Sequence, residues 1–444
     1  MPAANALQPD LRRAHPGGCA VNDEAAAQPQ PACQPRKLPW LAGPPLASAR
    51  LLLTATASRS GIELRAYDNV EEISTEWREF EDRADLTVFQ SFGWLANWQR
   101  HIGSARGTVP AIVIGSEADG EILFILQLAI YTTGPVRRLR WLGSQLCDYN
   151  APLLARNFSA RTSAERFRLA WRDVIGLLRS DPFFYFDVID LAKMPEWIGE
   201  QRNPFMDLRV RVHPSGAYLA SLGQDWDTFY ASKRSAATRK RERRQLRQLA
   251  DHGEVRFVNV KGAEEIALTL STLFEQKSDA FDRMGVDNAF LQPGQREFFL
   301  AVANDPAMRD LVHVSRLDVG TQMAAISVGL KHRGCYYLIL SSYTSAALSR
   351  FGPGRAQLNE LLRHAIQQRL QWFDFTVGDE PYKRDWSDTE LTLHDHLAAV
   401  TLRGCLFVTM LAVFRRIKRH IKQSPGLWRA FSRARALAGV LNAR

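Results

Sequence analysis

Cysteine is scarce in this chain of 444 residues, and spacing pairs none of the five: Cys19, Cys33, Cys147, Cys335 and Cys405 form no CxxC and no zinc-type pattern. That excludes a disulfide framework and a structural zinc site, and reduced thiols in a reducing compartment are expected. Long apolar runs are missing too. Leu38–Ser58 is mildly apolar, but Pro39, Pro44, Pro45 and Arg50 interrupt it and no signal-peptide layout precedes it. Gly404–Phe414 is apolar yet too short to span a bilayer, so a cytoplasmic location is expected. Residues 1–58, rich in Ala, Pro and Gln and poor in aromatics, lack helical or strand periodicity and are expected to be disordered.

Acidic residues are absent from the end of the chain. Residues 403–444 hold ten Lys or Arg and no Asp or Glu, and the remainder balances at 47 basic against 47 acidic residues. The net charge of +10 therefore belongs to one tail, and a nucleic-acid surface is not expected. Arg415, Arg416, Lys418, Arg419 and Lys422 follow directly on the apolar stretch. Such a helix either lies on an anionic surface, at the inner membrane or in a synthase complex, or completes the core with its apolar half while the basic half is solvated.

What is present is a globular body. Apolar residues make up 46% of the chain, enough for one large core or two ordinary ones. From Gly61 the chain becomes periodic. A strand at Ile62–Tyr67 precedes a helix marked by Val70, Ile73, Trp77 and Phe80, and a second helix follows near Phe92–His101. Strands are predicted at Ala111–Ile114, Ile122–Tyr131 and Phe183–Leu191, with a helix over Ala164–Leu178 before the last.

After the Pro-marked connection from Asn203 to Pro214 the order repeats: a basic helix from Asp225 to Ala250, a strand at Val255–Val260, and a helix at Ala263–Met284. A hairpin joins Leu311–Leu317 to Met323–Lys331, and Cys335–Tyr343 pairs back. A helix over Arg355–Leu370 leads to a strand at Trp372–Val377. The fold class is α+β with mixed, mostly antiparallel sheets flanked by helices. The domains expected are a disordered 1–58, a first half 59–203, a second half 204–402 and a basic tail 403–444.

Two motifs carry chemistry. In Ser349-Arg350-Phe351-Gly352-Pro353-Gly354-Arg355, two glycines at a helix start let backbone N–H groups approach a phosphate, with Arg350 and Arg355 adding charge. One helix later, Asp374-Phe375-Thr376-Val377-Gly378-Asp379-Glu380-Pro381-Tyr382-Lys383-Arg384-Asp385-Trp386 releases acidic, phenolic and basic groups at a strand's end. His394 and His396 would share one strand face, but no third ligand stands nearby and no metal is expected. The helix from Lys233 to Arg247 holds eight basic residues against Glu242, either to receive phosphates or simply to be solvated.

The order strand, glycine loop, helix, strand, with FGPGR before DFTVGDEPYKRDW, resembles the GNAT acyltransferase superfamily, specifically its CelD-like or BcsL-like branch, linked by name to cellulose biosynthesis, with a doubled FemAB-like fold. Phe89-Gln90-Ser91-Phe92-Gly93-Trp94 with Trp98, and Tyr336-Tyr337 with Tyr343, support the resemblance across residues 62 to 400. The loop reads GPG in place of the family's Q/R-x-x-G-x-G/A.

The resemblance implies tandem GNAT-like domains and transfer of an acetyl or other acyl group from acyl-CoA to an amine or hydroxyl of a sugar or small metabolite, as in exopolysaccharide production. It places Gly352, Gly354, Arg355 and Arg350 on the pyrophosphate and backbone near Leu340–Ser342 at the thioester oxygen. Tyr382 would be the acid, Asp379 the base with Glu380 second, and Lys383, Tyr343 and Trp386 would bind the acceptor. Read structurally, Asp379 instead caps the next turn, Lys383 pairs with it and Tyr382 packs. The rival functions are an aminoacyl-tRNA-dependent transferase using the basic helix, and a non-catalytic scaffold beside a polysaccharide synthase. The first half, with Asp148-Tyr149-Asn150 and no GxG before its helix, is expected to wall the acceptor cleft.

Overall fold

The helix stripe Ile73, Trp77 and Phe80 is buried, as its spacing requires, and so is every position of the strand runs Ala111–Ile114 and Ile122–Tyr131. The computed structural model describes residues 53–55, 58–285, 287–345 and 347–423, with side chains at 54, 58–285, 287–345 and 347–413. Most of the segment expected to be disordered, and the tail from 424 on, lie outside these residues. Within that segment Leu53–Ala55 is nevertheless a strand paired with its successor.

The main strands are, in chain order, β1 (Leu53–Ala55), β2 (Glu63–Tyr67), β3 (Val109–Ser116), β4 (Ile122–Thr133), β5 (Val136–Trp141), β6 (Val188–Pro195), β7 (Val210–Val212) and β8 (Ala217–Ser221). They continue with β9 (Val255–Asn259), β10 (Val312–Val319), β11 (Gln322–His332), β12 (Cys335–Tyr343), β13 (Trp372–Val377), β14 (Thr389–Leu391) and β15 (Leu393–Ala399). One sheet runs β1-β2-β3-β4-β5-β6-β15-β7, the other β9-β10-β11-β12-β13-β8-β14.

Each sheet contains one parallel pair, β5 with β6 and β12 with β13. A helix connects each pair: α1 (Ala164–Arg179) in the first, α2 (Pro353–Gln367) in the second. The doubled plan read from the sequence is thus real at the level of strand–helix–strand units. The sheets do not divide at residue 203, however. β7 and β15, both beyond that point, complete the first sheet, and β15 lies between β6 and β7.

Local differences have local causes. The basic helix expected over Asp225–Ala250 is two helices, Trp226–Lys233 and Ala236–Ala250. Ser235 interrupts it in extended conformation, its hydroxyl accepting from the Thr238 N–H at 3.2 Å as a side-chain cap. The strand expected at Phe183 begins only at Val188, because Pro182–Phe184 forms a single turn capped by Asp181.

β12 and β13 are tied by a ring contact. Tyr336 and Phe373 are register partners and stack at 5.0 Å between centroids, and the Tyr336 hydroxyl meets His313 Nδ1 at 3.0 Å. Gly329 makes room for this ring, since a Cβ there would sit 2.2 Å from the Tyr336 oxygen. Gly329→Val is expected to cost about 1–3 kcal/mol through overpacking, and more if Tyr336 must leave its place, read by urea unfolding.

Candidate functional site

β12 and β13 share only three register pairs, from Cys335 with Trp372 to Tyr337 with Asp374, although both strands run on past that point. They part where each carries an irregularity. On β12, Val328 faces Leu340 while Gly329 faces Leu338, which leaves Ile339 as an extra residue. On β13, Ala217 faces Val377 while Leu219 faces Asp374, so the strand again holds one residue more than its neighbour. Bulges of this kind bend a strand and end its pairing.

The bulge on β13 is strained. Thr376, β-branched, has φ of 59°, a left-handed conformation costing about 1–2 kcal/mol. Hydrogen bonds oppose that cost: the Thr376 N–H donates to Asp374 Oδ1 at 2.7 Å and its hydroxyl to the Leu338 carbonyl at 3.1 Å.

The parting strands open a cleft of about 350 Å³ walled by Leu338, Ser341, Ser342 and Tyr343 on β12 and closed by Tyr382 and Trp386. Gly352, Gly354 and Arg355, at the start of α2, line its other end. Gly352 takes φ of 70° as the residue before that helix, Pro353 is its first residue, and no side chain caps it. A Cβ on Gly354 would meet the Tyr343 ring at 3.0 Å, so glycine keeps this corner open.

The corresponding unit of the first half is closed by contrast. Ser163 caps α1 by accepting from the Arg166 N–H at 3.1 Å, and Phe205 is packed among Trp141, Phe167 and Trp171 with centroids 5.1–5.2 Å apart.

Of the residues singled out in the sequence, Gly352, Gly354, Arg355, Ser342, Tyr343, Tyr382 and Trp386 are gathered around this cleft. Burial raises the pKa of Tyr382 to about 12, so its phenol stays protonated at neutral pH. Trp386, fully buried, is the floor of a stack with Phe229, Tyr230 and Trp226, and the Arg234 guanidinium lies 4.2 Å over it.

Others stand apart. Arg350 is exposed and rests over the Phe351 ring at 4.7 Å, outside the cleft. Asp379 accepts from the exposed Ser215 hydroxyl at 3.1 Å and does not line it either. Lys383 pairs with Glu380, not Asp379, at 3.1 Å, and donates to the Val377 carbonyl at 2.8 Å.

A second group joins residues that the sequence marked separately and did not connect. Tyr149, from a loop of the first half, donates to both oxygens of Asp374 at 2.8 Å, at the last paired position of β13. Burial raises Asp374 to about 7, against which the Tyr149 and Thr376 hydrogen bonds act. Next to it, burial raises the Asp148 carboxyl, with Lys193, Thr376 and Lys383 opposing. Lys277, lowered by burial, feels Glu380 and Lys383. Gln276, beside Lys277 on the helix Ala263–Met284, hydrogen-bonds Ser342 at 2.8 Å in the cleft wall. Carboxylates and lysines thus flank the parting point outside the cleft.

Residues 236–384, which hold most of the cleft lining, match the family model described as an acetyltransferase (GNAT) domain. Among solved structures the chain is similar to FemX, at 9% identity and a TM-score of 0.50, over 73% of this chain and 94% of that one. Weaker overlays are found with L-PGS from Bacillus licheniformis (14% identity, TM-score 0.40, 68% and 87% covered) and a tandem GNAT protein from the clavulanic acid biosynthesis pathway (12%, 0.38, 76% and 98%). No curated protein sequence matches the chain. The chain is thus α+β, with the GNAT match confined to residues 236–384, and the likeness to FemX bears on the fold alone.

The pKa of Asp374 gives a pH test. Its folded value, about 7, lies above the ordinary carboxyl value of 3.8, so ionising it destabilises the fold progressively as pH rises between the two. Relative to wild type, Asp374→Asn should therefore gain stability from about pH 4 to about pH 7 and run parallel above, measured by urea unfolding across pH. Tyr149→Phe should lose about 1–3 kcal/mol, more at pH 8 than at pH 5, because the ionised carboxylate loses its donor.

Proposed function

We propose that the protein transfers an acyl group from an acyl-CoA, acetyl-CoA being the simplest, to an amine or hydroxyl. The observation that carries this reading is the cleft where β12 and β13 part in front of the uncapped, glycine-led start of α2. A thioester arm entering between the strands would meet backbone past the last pair with β13, near Leu340–Ser342. Its phosphates would lie at Gly352, Gly354 and Arg355, where the helix dipole and the guanidinium favour negative charge.

Direct attack by the acceptor needs a polarised carbonyl, removal of one proton and protonation of the thiolate. Tyr382, protonated and in the cleft wall, supplies the last of these. In this scheme the base is Glu380, exposed on the outer flank beside Lys383 and Lys277, to which the acceptor would come from that side; Asp379 bonds Ser215. Loss of a proton to Glu380 and gain of one by sulfur from Tyr382 balance the transfer. A sugar or small metabolite of exopolysaccharide assembly fits this polar approach, as the family resemblance implies.

A smaller groove of about 90 Å³ shares Gly352 and Arg355 with the cleft and is bordered by Trp226, Arg243 and Arg363. Together with the exposed Lys240, Arg241, Arg244 and Arg247 of the adjoining helix it favours a second reading, in which the donor is an aminoacyl-tRNA.

Thermal unfolding with CoA, acetyl-CoA or tRNA separates the two. Acyl-CoA at a hundredfold excess over its Kd should stabilise the protein by about 2.7 kcal/mol, and Gly354→Trp, which fills the corner at Tyr343, should remove that gain. Stabilisation by tRNA alone would replace the first reading by the second, and no stabilisation by any acyl-CoA would remove the first. Tyr382→Phe should lower kcat by about 100-fold or more while the Kd for CoA changes little, checked by steady-state kinetics and calorimetry.

A further inference from the structure

The helix that ends the described chain, Leu402–Gln423, has two unlike sides. Its start is fixed to the first sheet. The Thr401 hydroxyl donates to Asp187 at 2.8 Å and accepts from the Gly404 N–H at 3.1 Å. Gly404 lies so close that a Cβ would stand 2.1 Å from the Asp187 carbonyl oxygen. Phe407, on the same side, lies under the Arg138 guanidinium at 5.7 Å.

The other side is apolar and uncovered. Leu402 is 91% exposed, Leu406 64%, Met410 63% and Val413 49%. At 3.6 residues per turn these four fall within an arc of about 80°, a continuous stripe and not scattered surface residues. The helix continues through residues 414–423, whose sequence FRRIKRHIKQ holds five Lys or Arg and no acid.

Two partners of other kinds fit poorly. A second copy of the chain would bring two strongly basic helices together, at the cost of like-charge repulsion. A nucleic acid would answer the charges but leave the apolar stripe in water. No helix among the described residues is long and apolar enough to cross a membrane, so an apolar stripe continuous with a basic run matches a surface that is itself layered.

We propose that this helix docks the protein on an anionic phospholipid bilayer, lying along its surface with Leu402, Leu406, Met410 and Val413 at the boundary of headgroups and acyl chains. The basic run that follows them in the sequence supplies the charge that anionic headgroups attract. The proposal does not depend on the acyl-transfer reading, because the docking helix and the cleft are built from different residues.

Flotation of the full-length protein with vesicles of phosphatidylcholine, and of phosphatidylcholine mixed with phosphatidylglycerol, tests it. Binding should be about tenfold or more stronger to the mixed vesicles and should fall as salt is raised. The double variant Leu406→Ser, Met410→Ser and the triple variant Arg415→Gln, Arg416→Gln, Lys418→Gln should each weaken it several-fold while circular dichroism stays unchanged. Equal binding to both vesicles, binding to neither, or a soluble dimer that the apolar variant dissociates would each overturn the proposal.

Discussion

Two neighbouring parallel strands, each holding one residue more than the pairing needs, stop pairing at the same level, and the candidate site depends on that event. A regular ladder here would satisfy every backbone group and leave no room between β12 and β13. The parting instead ends the ladder beside the cleft lined by Leu338, Ser341, Ser342 and Tyr343. The arrangement is strained, and Thr376 carries the strain in its left-handed conformation. It persists because several groups over-determine it: the Asp374 carboxylate, the Leu338 carbonyl, and Tyr149 reaching across from the first half.

That dependence gives the first half a structural role at the site. Its own strand–helix–strand unit is closed by a Ser163 cap and by Phe205 among three aromatic rings. What it contributes is the loop bearing Asp148 and Tyr149, which holds the end of β13 in place. The exchange runs the other way too, since β7 and β15 complete the first sheet. Two copies of one plan have become a single structure.

Charge is distributed in keeping with that division. Three lysines, Lys193, Lys277 and Lys383, and three carboxyls, Asp148, Asp374 and Glu380, flank the parting strands, so that charges of both signs lie close together there. The cleft side is mostly hydroxyl, ring and glycine, with Arg355 at its end. The net positive charge of the chain lies far along the sequence from both, in residues 403–444.

The sequence by itself determined the periodic elements, because burial of one helix face or one strand face is a local pattern. The helix Ala263–Met284, the strands Cys335–Tyr343 and Trp372–Val377 and the glycine loop stand where their spacing put them. It also marked Gly352, Gly354, Tyr382 and Trp386, since glycine before a helix and a crowd of polar groups after a strand are readable in order. Only the tertiary structure decided that Asp379 turns to Ser215 while Lys383 turns to Glu380. It alone brought Tyr149 to Asp374, 225 residues away, and β15 back into the first sheet. The reason is physical: a bulge, a crossing strand or a hydrogen bond between distant loops is chosen by what packs against it, and no periodicity within its own segment records that choice.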